Sequence, residues 1–289
     1  MLQEILDLGF ERVELGHGIR LSLMDGIQKF FDAGKVTFSS LHNFCPLPIE
    51  ITRAAPDCYE YSSHRENERE RAVKLTLQTI DFASRLGAPV IVLHLGRVPM
   101  DPATDKLIEM AAHGLIHSRE YVRVKVKAVK EREKKAAYYV QRSLDCVRRV
   151  VDYAASKGVK LGIEGRQAFE EIPSEREVPE LLQAINAPNV GYWHDFGHIQ
   201  IKENLGFVDH ADWLRFISPR LLGGHLHDTE WPGRDHCAPF TGNIDYDKLV
   251  PFLPKNCLLV WEMSPRRTAE EITVSRAKWK DRFGEFEAA

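Results

Sequence analysis

Residues 89–95 read PVIVLHL, an unbroken apolar run rich in β-branched side chains. A strand with no polar face needs cover on both sides. Such strands belong to parallel sheets, whose crossover helices lie on both faces. The rest of the chain fits that demand. Leu2, Ile5 and Leu6 fall at helical spacing ahead of Gly9, and short strands are predicted over 10–16 and 36–42 with a helix over 25–31 between them. A helix from about Arg65 to Leu86 leads into the 89–95 strand, and one long charged helical region is expected from about Asp105 to Lys157. Strands follow at Val159–Glu164 and Val190–Asp195, joined by a helix marked by Val178, Leu181, Leu182 and Ile185. A helix over 211–217, a strand over 221–227, an irregular loop, a helix over 246–252, a strand over 257–262 and a helix over 268–283 complete the reading.

Strand and helix alternate throughout, which argues an α/β fold with a parallel sheet. No glycine-rich phosphate loop follows the first strand, which disfavours a dinucleotide-binding fold. Polar residues recur where strands end: Glu14, His42, His94, Glu164, Asp195, His225, His227 and Glu262. A (β/α)8 TIM barrel gathers such residues at one mouth, where barrel active sites lie. The expected architecture is one such barrel over residues 1–289. Seven strands can be read and the chain opens on a helix, so the barrel is expected to lack its first strand in this chain, that strand lying ahead of Leu2.

The charge balance of −3 predicts no general affinity for polyanions, so nucleic acid is not an expected partner. The basic run Lys125–Lys135 is interrupted by Glu131 and Glu133 and reads as a solvated helix face. Five cysteines, an odd count without a CxxC pair, suit a reducing compartment. No signal peptide and no bilayer-length apolar run is found, so the expectation is a soluble cytoplasmic protein. Its oligomeric state stays open, a homo-oligomer included.

Four successive strand ends would supply Glu164, Asp195, a histidine of HLH and Glu262. Hard oxygen donors with one imidazole suit Mn²⁺, Mg²⁺ or Co²⁺ and tolerate Zn²⁺. Taken singly, each acid could instead cap a helix or pair with an arginine. Taken together at one mouth they predict a metal site. His225 and His227 share strand parity. His225 lies deeper and is favoured as the ligand, with His227 further out toward substrate. Arg166, two residues past Glu164, could hold a hydroxyl or phosphate group or form a surface salt bridge. His198, His42, His94 and His236 are further candidate substrate contacts, with His236 on a loop over the mouth. Each has the plainer alternative of a histidine satisfied by its neighbours.

The segments IEGRQAFEEIPS, VGYWHDFGH, GGHLHD followed by DH and GNIDY, and VWEMS occur in this order. Together they resemble the xylose isomerase-like barrel superfamily, from Phe10 to about Ser264. That group contains sugar and sugar-phosphate isomerases and epimerases and the apurinic-site endonucleases. The resemblance implies that Glu164, Asp195, His225 and Glu262 bind a divalent metal. It also implies that Glu164 and Glu262 remove and return a proton beside a carbonyl, through a metal-stabilised enediolate. The expected substrate is then a small carbohydrate. The family pattern often has Asn where this chain has Gly165, so one polar contact near the metal is expected to be absent. The alternative is a multi-zinc phosphodiester hydrolase like the apurinic-site endonucleases, built from His42, His94, His198, His225 and His236. The acidic charge balance argues against it. A non-catalytic barrel is the third reading.

Overall fold

The computed structural model describes residues 2–53, 55–255 and 257–284. Helix α1 (Leu2–Asp7) precedes strand β1 (Arg12–Leu15), and α2 (Met24–Asp32) leads to β2 (Thr37–His42). Next come α3 (Glu66–Arg85), β3 (Val90–Leu93), α4 (Ala103–Ala112), α5 (Arg119–Ser156) and β4 (Lys160–Glu164). Then α6 (Glu177–Ile185), β5 (Val190–Asp195), α7 (Phe196–Asn204), α8 (His210–Ile217) and β6 (Leu221–Leu226) follow. A hairpin of β7 (Asp228–Glu230) and β8 (Arg234–Cys237), then α9 (Tyr246–Leu249), β9 (Leu258–Trp261) and α10 (Ala269–Phe283), complete the order.

The barrel sheet is parallel and seven-stranded, in the order β1-β2-β3-β4-β5-β6-β9. It is a nearly closed TIM barrel with one strand missing, and its seam lies between β1 and β9. Among the described residues, contacts cross that seam without a strand ladder. Phe10 and Trp261 pack edge to face at 5.8 Å, and Arg276 of α10 donates to the carbonyls of Leu8 and Gly9. Among the described residues no helix is long and apolar enough to cross a membrane.

Val13, Leu15, Leu41, Ile91, Leu93, Leu161, Ile163 and Tyr192 face outward into the main core beneath α2, α3, α5 and α6. The inner face carries a smaller apolar set of Val90, Val92, Trp193 and Val260. Trp193 is fully buried, and its ring takes the space left by glycines on both neighbouring strands. A Cβ at Gly162 of β4 would lie 3.2 Å from Trp193 Cβ, and one at Gly223 of β6 would lie 2.5 Å from its ring.

Three local features depart from the expected elements. The predicted helical region over 105–157 is two helices, broken at Gly114 (φ +73°), and Ser118 caps α5 by accepting from Tyr121 N. The loop after β6 is not irregular throughout but contains the β7–β8 hairpin, which carries His236. Helix α7 starts directly after β5. Asp195 ends the strand and also caps the helix, accepting from His198 N, so no turn residues announce the change.

Candidate metal centre

Strand register brings the four strand-end groups to one level. Asp195 pairs with His225 across β5 and β6, and Glu262 N donates to Leu226 O at the end of β9. One ligand atom from each of Glu164, Asp195, His225 and Glu262 lies within 4.8 Å of the others. His225 Nδ1 is their centre: it stands 3.0 Å from Glu262 Oε2, 3.2 Å from Glu164 Oε1 and 3.6 Å from Asp195 Oδ2. The other ring nitrogen, Nε2, lies 3.0 Å from Glu14 Oε1.

Three carboxylates around one imidazole nitrogen call for positive charge, and the local electrostatics reflect it. Burial alone would raise the Glu164 carboxyl, but His94 and His225 hold it well below the usual carboxylate range. Burial alone would lower His225, but Glu262, Glu14 and Glu164 push it well above the usual histidine value. A divalent cation would satisfy the same demand. Hard oxygens with one nitrogen donor fit such an ion.

His227 is placed differently. Its Nδ1 receives the backbone N–H of His236 at 2.9 Å, and its Nε2 lies 3.0 Å from Asp195 Oδ1. A backbone N–H only donates, so Nδ1 is the acceptor and Nε2–H donates to Asp195. The ring is fully buried, and a Cβ at Gly197 would run into it. Both nitrogens are engaged, which leaves neither free for a substrate in this arrangement.

A second group surrounds the outer oxygen of Glu164. His94 Nε2 lies 2.6 Å and His42 Nε2 3.4 Å from Glu164 Oε2. Asp57 Oδ1 holds His94 Nδ1 at 3.0 Å. Arg166 Nη1 lies against His94 Nε2, while its Nη2 reaches Glu171 Oε1 at 2.5 Å and Asp57 Oδ2 at 3.2 Å. Arg166 is therefore a buried guanidinium at the mouth and not part of a surface salt bridge. Burial and Arg166 lower His94, but Asp57 and Glu164 outweigh them and push it up to about 9.

His198 Nδ1 donates to Gly165 O at 3.0 Å, which leaves Nε2 facing Asp235 Oδ2 at 4.0 Å. His236 has φ +53°, a left-handed conformation uncommon outside glycine. Its Nδ1 lies 3.1 Å from Asp235 Oδ1 and its Nε2 3.8 Å from Glu262 Oε2. Burial would lower this ring, but the Asp235 and Glu262 carboxylates beside it push it up to about 11. The structure thus brings all ten candidate residues around one mouth.

Sequence reasoning missed Asp57, Glu171 and Asp235. Glu171 and Asp235 lie inside or beside segments already singled out, but Asp57 sits in a polar loop with no pattern. Arg132 of α5 was also missed. It grips Glu177 with two bonds and donates to Phe169 O at 2.7 Å and Glu171 O at 2.8 Å, fixing the loop that carries Arg166. Glu170 anchors the same loop by accepting from Thr104 N and Thr104 Oγ1 at the start of α4.

The structure supplies a reason for Gly165. A Cβ there would meet the Tyr192 hydroxyl, which already accepts from Trp213 Nε1 at 3.1 Å. Gly165→Asn is therefore expected to destabilise the fold by about 1–3 kcal/mol, the usual cost of overpacking. Urea denaturation measures it, and an unchanged midpoint would refute the packing argument.

A family model described as xylose isomerase-like TIM barrel matches residues 2–281. An uncharacterized protein of Sinorhizobium fredii, y4fM, is 25% identical over 198 residues, 66% of this chain. The chain spans about half of that relative's length (51%). Among solved structures, a D-tagatose 3-epimerase-like protein superposes with a TM-score of 0.67 at 17% identity, covering 97% of this chain and 91% of its own. The IolI protein with a bound zinc atom gives 0.66 at 15% identity, covering 96% and 89%. At these identities the structural likeness speaks for the fold. The family match, which runs over nearly the whole chain, goes further: the protein belongs to the xylose isomerase-like TIM barrels.

Proposed function

We propose that the protein is a divalent-metal-dependent isomerase or epimerase of a sugar or sugar phosphate. Glu164, Asp195, His225 and Glu262 hold the metal, and Glu164 and Glu262 move the proton. The observation that carries this reading is His225 Nδ1 facing three carboxylates at 3.0–3.6 Å. The epimerase-like neighbour and the zinc-bound IolI protein support it.

A bound divalent ion polarises a substrate carbonyl and offsets the charge that builds when the adjacent C–H bond breaks. The side chains do the rest. Glu164 and Glu262 both face His225 Nδ1 and act as general base and general acid. His227 braces Asp195 through its Nε2–H. His198 Nε2, His42 and His236 ring the mouth and bind hydroxyl oxygens, holding the reacting carbon against its base. His94 and Arg166, engaged by Asp57, Glu171 and each other, hold Glu164 in place.

The test is solvent exchange. Apoprotein prepared with chelator is reloaded with Mn²⁺, Mg²⁺, Co²⁺ or Zn²⁺ and incubated in D₂O with a panel of ketoses and their phosphates. Deuterium is expected at the carbon beside the carbonyl, only with metal present. Metal-loaded protein that exchanges no member of a broad panel would overturn the reading.

Two further histidine groups favour a second reading, a multi-zinc phosphodiester hydrolase. His42 and His94 cluster with Glu164, and His198, His227 and His236 cluster beside them. The Arg166 guanidinium against His94 and the engaged nitrogens of His227 weigh against additional ions there. Three zinc ions per chain with cleavage of abasic DNA would establish this alternative.

A further inference from the structure

We propose that Glu14, on the edge strand β1, is the positioning carboxylate that fixes His225 for metal binding; this rests on the metal reading above. Glu14 Oε1 stands 3.0 Å from His225 Nε2, on the side of the ring away from the three proposed ligand carboxylates. A carboxylate there accepts Nε2–H, which leaves the Nδ1 lone pair pointing at the metal position. A hydrogen bond to the far nitrogen of this kind sets tautomer and ring orientation in histidine ligands generally.

The backbone is shaped to deliver this contact. Along β1 and β2, Val13 pairs with Phe38 but Glu14 pairs with Ser40, so β2 carries one extra residue, Ser39, at this step. Such a bulge re-aims side chains. Phe38 packs outward on Phe31 of α2, whereas Ser40, two residues on, donates its hydroxyl to Glu14 Oε2 at 2.5 Å. In a regular strand those two residues would share a face. Both Glu14 oxygens are thereby engaged, and its side chain is only 7% exposed. A buried carboxylate is costly unless it is hydrogen-bonded, and the group this one is held against is the His225 ring, through which it would act on the metal position.

Mn²⁺ binding to the full chain, followed by calorimetric titration, tests the assignment. Glu14→Ala is expected to weaken Mn²⁺ binding about 10–100-fold. Glu14→Gln, whose amide oxygen still accepts Nε2–H, should lose clearly less. In Zn²⁺-loaded protein with ¹⁵N-labelled histidine, His225 should show a protonated Nε2 that is protected from solvent, and Glu14→Ala should abolish the protection. Should Glu14→Ala fail to fold, Ser40→Ala and Glu14→Gln carry the test, each with a several-fold loss. Binding within twofold of wild type in these variants overturns the proposal. So does a loss in Glu14→Ala as complete as in Glu164→Gln, because Glu14 would then be a ligand. Wild-type protein that binds no Mn²⁺ removes the metal reading itself, a failure distinct from either of these.

Discussion

Glu164→Gln is expected to lower the rate of metal-dependent deuterium exchange by at least about 10²–10⁴-fold, the span of general acid–base contributions. Glutamine keeps the shape of the side chain and loses both functions proposed for it. Oε1 faces His225 Nδ1 at 3.2 Å, so the amide removes one anionic oxygen from the metal set. Oε2 faces His94 and His42 and finds no hydrogen-bond partner of good geometry, although it is buried. A buried acceptor with histidines beside it but no well-aligned donor suits a group that takes up a proton during turnover. An amide cannot take it. The fold should survive, because the change relieves crowding among Glu164, Asp195 and Glu262 around one imidazole. Exchange rates and bound Mn²⁺ are measured on the same sample. Exchange within tenfold of wild type would show that Glu164 is not the base. Loss of exchange with Mn²⁺ still bound would separate proton transfer from ligation.

The proposed ligands were legible because barrel geometry makes them so. Each of Glu164, Asp195, His225 and Glu262 closes an apolar strand, and a parallel barrel leaves strand ends only one place to go. The missing strand was legible for the same reason, since the count of apolar runs is the count of staves. What stayed hidden depends on distance in space. His225 and His227 share parity, and only the backbone N–H of His236, donated from the hairpin, commits His227 to Asp195. Asp57 lies 37 residues from His94, in a loop with no periodicity. Arg132 looked like one more charge on a solvated helix, yet it is 5% exposed and ties two carbonyls of the Arg166 loop to Glu177 at the start of α6. The β7–β8 hairpin escaped notice because Trp231, Pro232 and Gly233 at its turn carry a loop signature, and strands of three and four residues show little alternation.

The support beneath the proposed centre predicts a large effect on stability. Trp193→Ala is expected to destabilise the protein by about 3–5 kcal/mol, as for large aromatic side chains removed from a core. The residue sits on β5, two positions before Asp195, and is fully buried inside the barrel against Val90, Val92 and Val260. Its ring stands edge to face with His225 at 5.3 Å, so it is the floor on which that histidine rests. Gly162 and Gly223 flank it and have no side chains to move into the vacated space, so the cavity cannot collapse. Loss of Trp193 Nε1–H, buried without a partner, offsets only a small part of that cost. Trp193→Phe should cost much less, because it keeps an aromatic plate under His225 and removes a buried unpaired N–H. Urea midpoints for the two variants give the difference. A loss in Trp193→Ala below about 1 kcal/mol would mean that the strands close over the gap. If they do not close, His225 is left unsupported, and Mn²⁺ affinity should fall together with stability in the alanine variant while the phenylalanine variant retains both.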